Sequence, residues 1–375
     1  MVTLFKGVQN QMVAWIVLIS VGVIAAPAQV SPTAIFLDGP GEPQAFTYGI
    51  STLANAGGVL TDWGDALTGS ATSVASTRGP QGDVYIAGID PIGGLWINQL
   101  RSGTQTWVGW ISAGMPFQAQ SVDLAVAADG TVWLAAASPS GDIWLNSYTP
   151  STGFSGWISV LQAKADGISS TRYGNPFVRI VPDGTIYVLA QTRISSLEFW
   201  GIGVTAGVYS SSSGFVELSA HIFPFGLRAV SLTVGSDGAL YLCSANQSNV
   251  LGNVLVGVSM SRISGTMWTQ EFFAPDQVVD LPRLAAGVGK IYAVGLDSQH
   301  NVVVNEYQLG TGNGWQTWEY VNGSLETLTA ASVGDTLYVA GFDVSNDLWW
   351  YRAGTGWTYA GHRGAATSFL TASPR

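Results

Sequence analysis

The sequence predicts an all-β protein, a seven-bladed β-propeller of four-stranded antiparallel blades. Three observations predict it. One strand recurs along the chain, each copy follows a turn signal, and the composition is that of a sheet protein rather than a helical one.

The recurring strand reads Asp83-Val84-Tyr85-Ile86-Ala87-Gly88, Thr131-Val132-Trp133-Leu134-Ala135 and Thr185-Ile186-Tyr187-Val188-Leu189. It returns at Ala239-Leu240-Tyr241-Leu242, Lys290-Ile291-Tyr292-Ala293-Val294-Gly295 and Thr336-Leu337-Tyr338-Val339-Ala340-Gly341. Its aromatic column steps by about 50 residues, the period of propeller blades. Asp129-Gly130, Asp183-Gly184 and Asp237-Gly238 precede three copies. Asp-Gly is the chemistry of two-residue hairpins with positive φ. Only 10% of the 375 residues are charged, while Gly is 47 and Trp 15. Long helices need rows of Lys, Glu and Arg that this chain lacks, whereas Gly serves turns and Trp fills space between sheets.

A third strand follows each copy, as in Leu95-Trp96-Ile97-Asn98, Ile143-Trp144-Leu145-Asn146, Val302-Val303-Val304-Asn305 and Leu348-Trp349-Trp350. A fourth carries Trp107-Val108-Gly109-Trp110, Phe154-Ser155-Gly156-Trp157 and Trp315-Gln316-Thr317-Trp318. Four strands joined by hairpins make one blade. Six such units are complete, and the chain ends supply a seventh. Thr367–Ser373 resembles a first strand, while Ala34–Asp38, Ala45–Tyr48 and Leu60–Trp63 resemble the other three. Pairing the ends closes the ring and removes exposed edges.

Residues 1–28 read as a secretory signal and 29–375 as one propeller domain. Lys6 supplies the positive n-region, 12–26 is apolar, and Ala26-Pro27-Ala28 is a small-x-small cleavage pattern. The apolar run is shorter than the roughly 20 residues of a membrane span. The mature chain is expected to be extracellular or periplasmic and to cross no membrane. A lone Cys243 permits no intrachain disulfide and reads as a small buried hydrophobe.

The formal charge of −10, with no basic cluster in the sequence, excludes nucleic acid as a partner, because affinity for it comes mainly from phosphate neutralisation. His221, His300 and His362 stand apart, so no metal or other cofactor is expected. No nucleophile elbow or phosphate loop is present. Glu198, Glu217, Glu271, Glu306 and Glu319 lie in or near strands, and sequence cannot place two of them in one pocket, so no catalytic pair is assigned.

An aspartate recurs at the turn after the second strand, at Asp38, Asp90, Asp297 and Asp343. Asp bonds its own downstream backbone there. Trp107 and Trp110, like Trp315 and Trp318, are three apart, which on a regular strand sends them to opposite faces. Repetition favours packing between blades, while stacking against a sugar ring is the functional alternative. Asn98, Asn146 and Asn305 recur at one position, and an amide suits sugar hydroxyls as well as it braces a turn. The candidate ligand-binding residues are therefore Trp96, Asn98, Trp107, Trp110, Trp144, Asn146, Trp157, Asn305, Trp315 and Trp318.

The unit formed by Gly88-Ile89-Asp90, Gly94-Leu95-Trp96 and Trp107-Val108-Gly109-Trp110 to Gly114 resembles the repeat of the PLL-like fucose-binding propeller lectins. The resemblance implies seven blades, secretion and shallow glycan sites between adjacent blades. The expected partners are thus glycans or glycoconjugates. A scaffold for protein partners and a propeller glycosidase or lyase remain the alternatives.

Overall fold

The computed structural model describes residues 17–20, 33–38, 42–50, 58–62, 73–101, 104, 106–165, 169–196, 200–223, 227–250, 253–272, 280–311, 314–362 and 371–372. These are all-β, and no helix among them is long and apolar enough to cross a membrane. Six sheets follow one another along the chain as meanders, and they are the blades of a propeller. Blade I begins with Ser73–Arg78, blade II with Ser121–Val126, blade III with Lys164–Ala165, blade IV with Leu227–Val234, blade V with Asp280–Gly287 and blade VI with Thr327–Val333.

A further sheet draws on both chain ends. Its order is Thr371–Ala372, Val17–Ser20, Thr33–Asp38, Glu42–Ile50 and Gly58–Asp62. It contains strands at the four places the sequence nominates, and one more. Val17–Ser20, inside the expected leader, lies between the C-terminal strand and Thr33–Asp38. Trp63 and residues 367–370 lie outside the described residues.

The aromatic column explains how the blades stack. Tyr85, Tyr187, Tyr241 and Tyr292 are buried and each packs toward the following blade. The junction of blades I and II is filled by Tyr85, Ile89, Leu95 and Ile97 from one side and Val122, Leu124, Leu134 and Tyr148 from the other. Side-chain burial on this scale is the main favourable term, about 25 cal/mol per Å² of apolar surface. Cys243 is buried in the junction of blades IV and V, where burial pushes its thiol pKa up.

Inner strands are tied across junctions by polar groups. Arg179 Nη1 of blade III lies 2.6 Å from Asp123 Oδ2 of blade II, which also accepts the Val178 N–H at 2.9 Å. The Leu284 N–H donates to Ser231 Oγ at 2.9 Å, and Ser332 Oγ donates to the Ala286 carbonyl.

The Asp-Gly turns are not the two-residue hairpins expected. Ala127 N–H donates to Thr131 O, and Gly130 N–H donates to Ala127 O, leaving a three-residue loop closed by Gly130 at φ 89°. Only the glycine is left-handed. Asp129 instead accepts the Thr131 N–H at 2.9 Å. The turns at Asp183 and Asp237 repeat the pattern, with Gly184 and Gly238 at positive φ. A turn followed by one left-handed glycine preserves strand twist as a two-residue loop does.

Candidate functional site

The outer strands of blades I, II and V share one irregularity that shapes the candidate site. Leu100 pairs with Trp107 and Ile97 with Ile111, so three steps on the third strand face four on the outer strand. Tyr148–Phe154 and Leu145–Ile158 show the same mismatch in blade II, and Tyr307–Trp315 and Val304–Glu319 show it in blade V. One extra residue is a β-bulge, and it reverses the facing of the residues beyond it. In blades I and II a glycine occupies the bulge at positive φ, Gly109 at 107° and Gly156 at 112°.

The bulge corrects the expectation that paired aromatics point to opposite neighbours. Phe154 and Trp157 both pack into the junction with blade I, and Trp315 and Trp318 both pack into the junction with blade IV. Residues three apart meet on one face because the extra residue restores their parity. Blade VI achieves a similar cluster differently, with Trp349, Tyr351 and Trp357 packed against blade V.

Aromatic clusters stand at several junctions among the described residues, and at II/III Trp133 lies 5.3 Å from Tyr209. At the I/II junction, Phe117 stands 5.2 Å from Trp144 and 6.5 Å from Trp157, centroid to centroid. Trp157 Nε1 donates to Ala113 O of the preceding blade at 2.8 Å. At IV/V, Tyr307 stands 5.2 Å from Trp315 and 6.0 Å from Tyr241. At V/VI, Trp349 meets Tyr359 edge-on at 5.3 Å, and Tyr351 meets Trp357 at 5.3 Å. Tyr359 is 52% exposed, so this cluster has an exposed aromatic edge. Trp107 and Trp110 are half-buried. The side chains of the terminal sheet preceding them lie outside the described residues.

The asparagines lie on the third strands of blades I, II and V. Asn98 and Asn146 are each 1% exposed, and Asn305 is 2%. Asn98 Oδ1 accepts the Gly109 N–H and Asn146 Oδ1 accepts the Gly156 N–H, both at 3.0 Å. They hold the bulge from inside. Their Nδ2 groups have no hydrogen-bond partner among the described residues. Thr317 replaces the glycine in blade V, and Asn305 Oδ1 makes no such bond there.

The recurrent aspartates brace turns and position tryptophans. Asp90 Oδ1 accepts the N–H groups of Ile92 and Gly94, and Oδ2 accepts Trp96 Nε1 at 2.8 Å. Asp343 does the same for Ser345, Asp347 and Trp349 Nε1, the last at 2.9 Å. Asp297 bonds Gln299 and Asn301. Burial opposes ionisation of Asp90, but the bonds from Trp96, Gly94, Ile92 and Gly93 prevail and hold its pKa below the ordinary value. Trp96 is thereby fixed with 36% of its surface exposed. The Asp38 side chain lies outside the described residues.

Glu306 is engaged with Lys290 at 3.4 Å, and Glu217 and Glu319 are exposed on separate blades. The side chains of Glu198 and Glu271 lie outside the described residues. Among the described residues, no three His, Cys, Asp or Glu side chains stand together as a metal site would need. The junctions present aromatic rings tilted or edge-on to one another.

No protein-family model matches this sequence. No curated protein matches it either. Solved structures share its fold. The BP39L lectin from Burkholderia pseudomallei superposes with a TM-score of 0.64 at 11% identity, over 94% of this chain and 99% of the lectin. A family PL25 ulvan lyase bound to -[GlcA(1-4)Rha3S]- gives 0.55 at 11% identity, over 93% and 95% of the two chains. The fucose-specific lectin from Aleuria aurantia gives 0.46 at 14% identity, over 79% and 96%.

Proposed function

We propose that this chain is a secreted carbohydrate-binding propeller of the PLL-like type, with several shallow glycan sites between adjacent blades and no catalytic role. The observation that carries this reading is the bulge that turns two aromatic rings onto one face at the I/II and IV/V junctions. Aromatic faces cover the apolar C–H face of a pyranose, and polar groups at the rim take its hydroxyls. Repeated weak sites gain avidity when several engage one surface. The likeness in fold to a bacterial lectin supports the reading.

Seven blades, the last composite, complete the proposal. The Val17–Ser20 strand is antiparallel to Thr33–Asp38 and parallel to Thr371–Ala372. The C-terminal strand therefore already runs in the direction needed to pair with Thr33–Asp38 once residues 1–28 are removed.

Glycan-array binding by the secreted protein, with calcium and chelator varied, tests this function. Saturable binding to one sugar class, competed by the free monosaccharide and weakened about tenfold by Trp144→Ala, is expected. No binding at high protein density would overturn the reading. A second reading, a polysaccharide lyase, draws on the fold shared with the ulvan lyase and on the lengthened strands of blades III and IV, which break the blade symmetry. Chain shortening of an acidic polysaccharide with formation of unsaturated ends would favour it.

A further inference from the structure

Blade III is longer than blades I and II at one end. The second strand of blade I stops at Ile89 and that of blade II at Ala137, but Ile186–Ser196 continues past the equivalent point and pairs with Trp200–Ser210 throughout. The inner strand Ser169–Ile180 lengthens with it. The extension carries two arginines, Arg172 and Arg193, with Glu198 in the segment that joins its longer strands.

Arg172 and Arg193 are directly opposed across the two antiparallel strands, and both are exposed. Directly opposed like charges are unfavourable in a sheet. Beside them, Gly174 opposes Gln191, which shares a strand face with Arg193. A side chain at Gly174 would meet nothing within 4 Å, so the backbone there forms an open shelf. Asn175, in a left-handed conformation at φ 41°, bulges out of register and donates Nδ2 to Gln191 Oε1 at 2.7 Å. That bond directs Asn175 Oδ1 and Gln191 Nε2 elsewhere, one acceptor and one donor.

We propose that this shelf binds an acidic polysaccharide, the two guanidiniums receiving its carboxylate or sulfate groups and the Asn175–Gln191 amides its hydroxyls. Guanidinium forks match planar and tetrahedral oxyanions with paired N–H bonds. An anion between the arginines converts their repulsion into attraction. Amides that both donate and accept suit a polymer whose charges are spaced by hydroxyls. The proposal deepens the carbohydrate reading and rests on it, but it uses a surface separate from the aromatic clefts.

The test is titration calorimetry of the secreted protein with oligogalacturonate, its methyl-esterified neutral form and a sulfated galactan oligomer, at two salt concentrations. Binding of at least one acidic oligomer about tenfold tighter than the neutral form, weakening with salt, is expected. The Arg172→Gln/Arg193→Gln double variant should lose that tenfold and keep its melting temperature or raise it, since opposed charges are removed. Preference for uronate or for sulfate identifies the anion. Equal affinity for acidic and esterified oligomers, or an unchanged preference in the folded double variant, overturns the proposal. Neutral glycans binding normally alongside that result would leave the aromatic clefts standing. Acid-selective binding without any neutral-glycan binding would instead support the shelf and overturn the clefts.

Discussion

Trp157 Nε1 donates to the Ala113 carbonyl at 2.8 Å across the boundary between two blades, and Trp357 Nε1 donates to Val321 O at 2.7 Å across another. Each indole is at once filler and fastener. Its ring packs into the junction while its N–H satisfies a carbonyl of the preceding blade, Val321 on the outer strand and Ala113 just past it. Trp157→Phe keeps most of the ring and loses the bond, which should cost about 1 kcal/mol. Trp157→Ala should cost about 3–5 kcal/mol. Denaturant midpoints of the two variants check the difference, and equal values would mean that the bond and ring make no separable contributions.

Two glycines separate backbone strain from steric clash. A side chain at Gly109 would meet nothing within 4 Å, yet the residue sits at φ 107°. Gly109→Ala should therefore cost about 1–2 kcal/mol from backbone conformation alone. Gly323 has no such φ, but a Cβ there would lie 2.4 Å from Trp357 Cε2 and Cζ2. Gly323→Ala should displace that indole and alter its near-ultraviolet dichroism, whereas Gly109→Ala should leave the Trp357 signal intact.

Asn98 and Asn146 are predicted to be structural first. Asn98→Ala leaves the Gly109 N–H without its acceptor, at a cost of about 1–3 kcal/mol. Thermal unfolding measures it. A variant as stable as the parent would show that the bulge needs no internal brace.

The turn aspartates predict an acid-labile edge. The folded-state pKa of Asp90 is held down by bonds made only in the folded turn. Its stabilisation is complete above the unfolded value near 4 and is lost as pH falls through the lower folded value. Trp96 fluorescence should therefore change at a pH below about 4, and Asp90→Asn should remove that titration. A transition that persists in the variant would assign it to another carboxylate.

Closure by the C-terminal strand predicts an asymmetric truncation. Deleting residues 366–375 from a chain beginning at residue 29 should lower the melting temperature strongly, because an inner edge reopens. The same deletion in a chain that retains Val17–Ser20 should be milder, since that strand already pairs with Thr33–Asp38. Equal effects would separate the C-terminal strand from closure.

Much of the architecture was legible from local pattern. Tyr85 and Tyr241 recur in a β period beside left-handed glycines, and period and turn chemistry are properties of neighbouring residues. The turn role of Asp90 was legible for the same reason, because its bonds reach only as far as Trp96. The facing of Trp315 and Trp318 was not, since one bulged residue reverses parity and its presence depends on what the third strand offers opposite. Nor could sequence distinguish an asparagine on a sugar from one beneath a bulge. Asn98 and Gly109 are distant in sequence and meet only through strand pairing.

Arg172 and Arg193 make the same point with charge. Each is an ordinary strand arginine in its own segment, and together they form a patch only because the hairpin register sets them opposite. Sequence alone determined the repeat, the strand content and where the turns fall, though not their type, because these arise from short-range sterics and hydrophobic period. Tertiary structure decided which rings share a cleft and which charges share a face, because those depend on register, bulges and the order in which blades meet.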